Sequence, residues 1–152
     1  MFGTDRPKKK IFLVVSSVGP LKTLVEKYTR KFKNISYVGG LSQDEVALYL
    51  SASDLLIVPS THEEGFGRVI LESLACGTPV IGASRGAIPE AMDESVGKLI
   101  EITPENIKIA VEYFYENPVK LDQLSKNCRQ FAVKKYSEEN VETIIDSYEG
   151  KN

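Results

Sequence analysis

The sequence predicts an α/β fold, a parallel sheet with helices on both faces, and three observations carry that prediction. Short apolar runs rich in Val, Ile and Leu recur at residues 11–15, 35–38, 55–58, 79–83 and 98–102, the pattern of strands covered on both faces. Segments of helical periodicity alternate with these runs, which implies βαβ units joined by right-handed crossovers. Glycines follow the strands at Gly19, at Gly39 and Gly40, at Gly65 and Gly67, and at Gly86, so glycine loops collect at the carboxyl ends, where open parallel sheets bind ligands.

Each element has its own signal. After a polar opening that contains Lys8, Lys9 and Lys10, the run 11–15 ends at Ser17-Val18-Gly19-Pro20. Leu21, Leu24, Val25, Tyr28 and Phe32 then repeat at the spacing of an amphipathic helix, and the stripe predicts a core face. A short strand over 35–38 stops at Gly39-Gly40. Ser42 and Glu45 have capping-box spacing and predict a helix running to about Ala52. The strand 55–58 precedes the segment Glu64-Gly65-Phe66-Gly67-Arg68, and a helix ends at Gly77. Thr103-Pro104 reads as an N-cap with proline at the first helical position, followed by the stripe Ile107, Ala110, Val111 and Phe114. Asn117-Pro118 repeats that start signal for a helix bearing Leu121, Leu124, Cys128 and Phe131. A last stripe comprises Val141, Ile144, Ile145 and Tyr148. These C-terminal helices are expected to pack on the sheet.

Composition narrows the function. The chain has 152 residues, 42% of them hydrophobic and 26% charged, enough for one ordinary domain with a real core, here taken as residues 1–152. A net charge of −2 argues against nonspecific nucleic-acid binding. Cys76 and Cys128 lack metal-ligand spacing, and no signal peptide or membrane-length apolar run stands out, so a reducing cytoplasm is the expected location. The single histidine, His62, leaves little room for a serine–histidine or histidine–metal centre.

The central segment carries the chemistry. A glycine loop entering a helix presents unpaired backbone N–H groups that, with the helix dipole, favour an anion such as phosphate. Glu64 lies before that helix and Glu72 about one turn inside it, with seven residues between them. A carboxylate does not hold phosphate, but it accepts two hydroxyl donors well, as a ribose diol presents them. Phosphate on amides and hydroxyls on carboxylates together suggest a nucleotide sugar. Taken alone, the same two glutamates also read as helix-entry and surface carboxylates.

The residues from about Ile11 onward resemble the retaining, nucleotide-sugar-dependent group 1 glycosyltransferases of GT-B architecture, specifically their C-terminal, donor-binding Rossmann-like domain. The marks are Ser53-Asp54 through Pro59-Ser60, then EGFG with the paired glutamates, then ACGTPVI, then GAIPE, in that order. The resemblance implies that Glu72 hydrogen-bonds the nucleotide ribose and that Glu64 lies at the donor-sugar hydroxyls as the catalytic-site carboxylate. It implies sugar contacts for Gly65, Phe66 and Gly67, diphosphate contacts for the amides of Val69 and Ile70, and the base for the Gly39-Gly40 loop. Such enzymes use a nucleoside-diphosphate sugar as donor substrate and usually need no metal, so the resemblance implies no metal or other cofactor here.

Three departures from the family pattern stand out. Ala87 and Ser17 occupy positions where members often carry glycine. The family domain also opens with another strand, central in the sheet between the 11–15 and 55–58 strands, and with a loop whose Arg and Lys hold the diphosphate. That strand is expected to be absent here, leaving two unpaired edges, and the acceptor-binding N-terminal domain is expected to come from outside the chain. The isolated chain is then expected to be inactive. Arg68 and Arg85 are candidate substitutes for the phosphate-binding cations. A homo-oligomer that covers the interrupted sheet is expected, as is membrane association only through a partner or a lipid acceptor. The contrasting reading is a noncatalytic or split-enzyme subunit that keeps the fold for nucleotide or partner binding.

Overall fold

The computed structural model describes residues 11–60 and 67–136, and the chain divides between Val46 and Ala47 into two compact units. The first contains β1 (Leu13–Ser16), α1 (Lys22–Lys31) and β2 (Ile35–Gly39). β1 and β2 pair in parallel from Leu13 opposite Ile35, with an irregularity between Val15 and Ser16. The run 11–15 predicts a strand covered on both faces, whereas Leu13 and Val14 are each 44% exposed. The stripe on α1 likewise predicts core, whereas α1 contains no buried residue and Leu24 and Tyr28 are 47% and 46% exposed. The physical reason is area: two short strands cannot cover a helix stripe and both of their own faces.

Helix α2 (Gln43–Ser51) crosses the division. Its capping box is formed as the spacing predicts: the Ser42 backbone N–H and hydroxyl both donate to Glu45 Oε2 at 2.8 Å, and the Glu45 N–H reaches Ser42 Oγ at 3.4 Å. The Ser42 backbone N–H above all, then its hydroxyl, holds the Glu45 carboxyl below its ordinary value of 4.5. A carboxylate depressed in the fold contributes stability above its unfolded pKa and loses it as pH falls through the folded value. An NMR titration of the Ser42 amide is therefore expected to show its midpoint below pH 4.5, with the cap loosening on the acid side.

The second unit runs β3 (Leu56–Val58), α3 (Arg68–Ala75), β4 (Val80–Ala83), α4 (Ile88–Ala91), β5 (Gly97–Ile100), α5 (Pro104–Glu116) and α6 (Pro118–Tyr136). Its sheet has the order β3-β4-β5, with both pairings parallel. Every residue of β4 is buried, as a continuous apolar run between two layers requires. On one face, Val58 and Val80 pack with Ile70, Leu74, Ile88, Met92 and Cys128. On the other, Ile81 and Ile100 pack with Ala110, Phe114 and Leu124. This is the predicted α/β arrangement with helices on both faces. Among the described residues the strands form a two-stranded and a three-stranded sheet.

Local signals set the helix ends. Gly77 (φ 83°) ends α3 in the left-handed conformation favoured after a helix. Thr103 Oγ1 accepts the Asn106 N–H at 3.1 Å with Pro104 at the first helical position. Thr103→Ala is expected to lower stability by about 1 kcal/mol, measured as a shifted urea midpoint at unchanged slope. The Val141 to Tyr148 stripe lies outside the described residues. Among those described, no helix is long and apolar enough to cross a membrane.

Candidate functional site

Because β3 and β4 pair in parallel, with Leu56 opposite Val80 and Val58 opposite Gly82, the segments that follow them leave the same end of the sheet. One leads into α3; the other contains Gly86 (φ 60°) and leads into α4. Helix α3 opens at Gly67, whose φ of 58° and ψ of 57° are left-handed, a conformation that glycine adopts without the Cβ penalty. An added Cβ would also stand 3.0 Å from Ile70 Cδ1. No side chain caps this end.

The orientation of α3 is set by what it buries. Ile70, Ser73 and Leu74 face the core, which leaves Glu72 on the flank, one turn inside the helix and 32% exposed. Ser73 Oγ donates to the Thr78 carbonyl at 2.8 Å, the Thr78 N–H returns to the Ser73 carbonyl at 2.9 Å, and Thr78 Oγ1 donates to the Leu50 carbonyl at 2.7 Å. These bonds, made by side chains that are 2% exposed or less, lock the end of α3 to the end of α2. Sequence reasoning missed this lock. Its one visible signal is Ser73, a hydroxyl on an otherwise apolar stripe three residues after Ile70.

The electrostatics favour an anion at the head of α3. Its first turn holds no acidic residue and begins with Arg68, so the helix dipole and a cation act in the same direction there. Arg68 Nη2 lies 3.7 Å from Glu72 Oε1, with the arginine side chain 84% exposed. An ion pair of that exposure contributes at most about 1 kcal/mol, so the carboxylate can exchange it for hydroxyl donors at little cost. The two amides expected at a diphosphate are not equivalent. The Ile70 N–H donates to the Gly67 carbonyl at 2.7 Å, so an anion would have to share it.

Gly67, Val69, Ile70 and Glu72 are thus brought together at the entrance to α3. Glu64, Gly65 and Phe66 lie outside the described residues, as does His62. Gly39 and Gly40 belong to the first unit. There the Gly39 carbonyl (φ 73°) accepts the Ser17 N–H and the Ser16 hydroxyl, each at 3.0 Å, while the Tyr37 hydroxyl donates to the Ser17 carbonyl at 2.7 Å. The loops after β1 and β2 are therefore tied together at their carboxyl ends, and a Cβ on Gly40 would press on Val18 Cγ1 at 3.0 Å.

Comparison with known proteins bears on what this arrangement belongs to. The profile of the family described as glycosyl transferases group 1 matches residues 5–131. A GDP-mannose-dependent alpha-(1-6)-phosphatidylinositol dimannoside mannosyltransferase of Mycobacterium tuberculosis is 34% identical over 107 residues, which span 70% of this chain and 28% of that protein. The chain thus matches well under half the length of this curated relative. Among solved structures, HepE of Anabaena in complex with UDP-glucose superposes with a TM-score of 0.75 at 22% identity, covering 93% of this chain and 42% of that one. The C-terminal domain of the group 1 glycosyl transferase LpcC from Francisella tularensis superposes at 0.68 with 24% identity, covering 78% of this chain and 63% of that one. At these identities the superpositions show a shared fold. The family match covers most of the sequence and the fold agrees with it: the chain belongs to the group 1 glycosyltransferases and has their GT-B, Rossmann-like α/β fold.

Proposed function

We propose that this chain is the donor-binding part of an enzyme that transfers a sugar from a nucleoside-diphosphate sugar to an acceptor with retention at the anomeric carbon. One observation carries the reading: Glu72 stands half-buried one turn inside α3, beside a left-handed Gly67 entrance with no side-chain cap and no acidic residue in its first turn. In this reading Glu72 accepts the ribose hydroxyls, and the amide end of α3 receives the diphosphate. The family resemblance assigns Glu64, Gly65, Phe66 and Gly67 to the donor sugar. Charge that develops on the leaving diphosphate meets preorganised amides, which need no reorganisation during the reaction. A helix end contributes roughly 0.3–2 kcal/mol against the roughly 8–23 kcal/mol an enzyme supplies. Further cations and an acceptor-binding N-terminal domain are therefore part of the proposal, and the isolated chain is expected to bind donor weakly and to catalyse little.

The reading uses no metal and places the chain in the reducing cytoplasm, which suits two free cysteines. A split enzyme or partner-binding subunit is the second reading. It is favoured by the apolar exposure of Phe12, Leu13, Val14 and Leu24, which also motivates the expectation of self-association. Titration of the chain with GDP-mannose and UDP-glucose, beside the Glu72→Ala variant, separates the two. Saturable binding that the variant loses supports a donor site; binding indifferent to the substitution, or none at all, supports the partner-binding reading.

A further inference from the structure

We infer that Tyr136, assisted by Lys135, is a positioning residue for the segment after β4 and, through it, for the donor site; this inference rests on the donor-binding reading above. Helix α4 has four residues, too few to sustain a helix by their own hydrogen bonds. It has no side-chain cap at Ala87, and the chain turns extended at Met92 (φ −150°, ψ 164°). Its last carbonyls are instead held from outside. The Tyr136 hydroxyl donates to the Ala91 carbonyl at 2.7 Å, and Lys135 Nζ donates to the Glu90 carbonyl.

The two donors are themselves confined. Lys135 Nζ lies 5.3 Å from the ring centroid of Phe131 and 5.9 Å from that of Tyr136. Burial pushes the Tyr136 phenol up, which keeps it a proton donor. Helix α6 is fastened far from this point: Ser125 Oγ donates to the Gly77 carbonyl at 2.7 Å, Asn127 Nδ2 donates to the Ser95 carbonyl at 3.1 Å, and Cys128 is fully buried. It therefore acts as a strut whose last described turn reaches α4. Ile88 and Ala91 anchor the other side of α4 in the core. The Gly86 turn lies directly before these anchors, after the carboxyl end of β4, the sheet end from which the segment leading to α3 also leaves. Without the Tyr136 hydroxyl, α4 frays and the segment spends less time in the arrangement that binds donor, which lowers apparent affinity by the lost fraction.

The test uses the full 152-residue chain. Tyr136→Phe keeps the ring and removes only the hydroxyl. Amide hydrogen exchange over residues 86–91 is expected to quicken, and affinity for GDP-mannose or UDP-glucose to fall, each by about two- to tenfold, while protection of α3 and β4 is unchanged. Lys126→Ala, a change on the same helix at an exposed side chain away from α4, is expected to leave both readouts as in the wild type. Unchanged exchange over 86–91 in Tyr136→Phe would overturn the inference. So would faster exchange with unaltered affinity, which would leave Tyr136 a purely structural role. Wild-type chain that binds neither donor fails the donor reading itself and takes the inference with it, whereas wild-type binding that Tyr136→Phe matches fails the inference alone.

Discussion

Gly97→Ala is expected to abolish the folded second unit, seen as loss of the cooperative denaturation transition and of native circular dichroism. Gly97 lies opposite Val80 in the β4–β5 register. A Cβ built there would stand 2.6 Å from Met92 Cε and 2.9 Å from the Val80 carbonyl carbon. The methionine end can move aside, but the Val80 backbone cannot. It belongs to a strand hydrogen-bonded on both sides and buried at every residue, in an interior packed too densely to absorb a shift. Overlap with core backbone belongs to the small class of substitutions that cost more than about 4 kcal/mol, against a total stability of about 5–15 kcal/mol for a domain. A variant with a transition like that of the wild type would show that β5 can shift away from β4 at little cost and would overturn this expectation.

Glu72→Ala is the second large effect, and it is expected in binding with little change in stability. Two ribose hydroxyls on an ionised carboxylate make charge-assisted hydrogen bonds of about 1.5–3 kcal/mol each, so the variant is expected to lose about 100-fold or more in donor affinity. The Arg68 pair it also removes is exposed on the arginine side and contributes at most about 1 kcal/mol, while alanine is the better helix former. Lost binding at an unshifted melting temperature is therefore the signature, read by calorimetric titration beside a thermal scan. Glu72→Gln, which keeps one carbonyl acceptor but not the charge, is expected to fall between. Equal affinity in all three proteins would remove Glu72 from the donor site.

The local elements were legible because their signals are local. Ser42 and Glu45 make the capping box that their spacing announces, Thr103 and Pro104 start α5, and Gly77 stops α3. The parallel α/β fold followed from the alternation of apolar runs with helical stripes, and the order of the motifs identified the family that the profile match shows. The entrance to α3, with Gly67 before it and Glu72 one turn inside, was likewise readable from spacing alone.

Burial was not legible, because the sequence gives a stripe but not the surface that covers it. The stripes of α5 and α6 find a three-stranded sheet and are buried; the equally regular stripe of α1, in the unit that holds the two-stranded sheet, stays exposed. Contacts between distant segments were equally hidden. Thr78 on the Leu50 carbonyl, Ser125 on the Gly77 carbonyl and Tyr136 on the Ala91 carbonyl join residues 28, 48 and 45 positions apart, and a backbone carbonyl leaves no mark in a sequence to say which side chain will reach it. The sequence by itself determined the elements, their caps, the parallel class and the carboxylate at the helix entrance, since each depends on neighbours within a turn or a strand. The tertiary structure alone decided which apolar faces are covered, that Thr78 ties the end of α3 to the Leu50 carbonyl, and that α6 holds α4, since these depend on where separate segments meet in space.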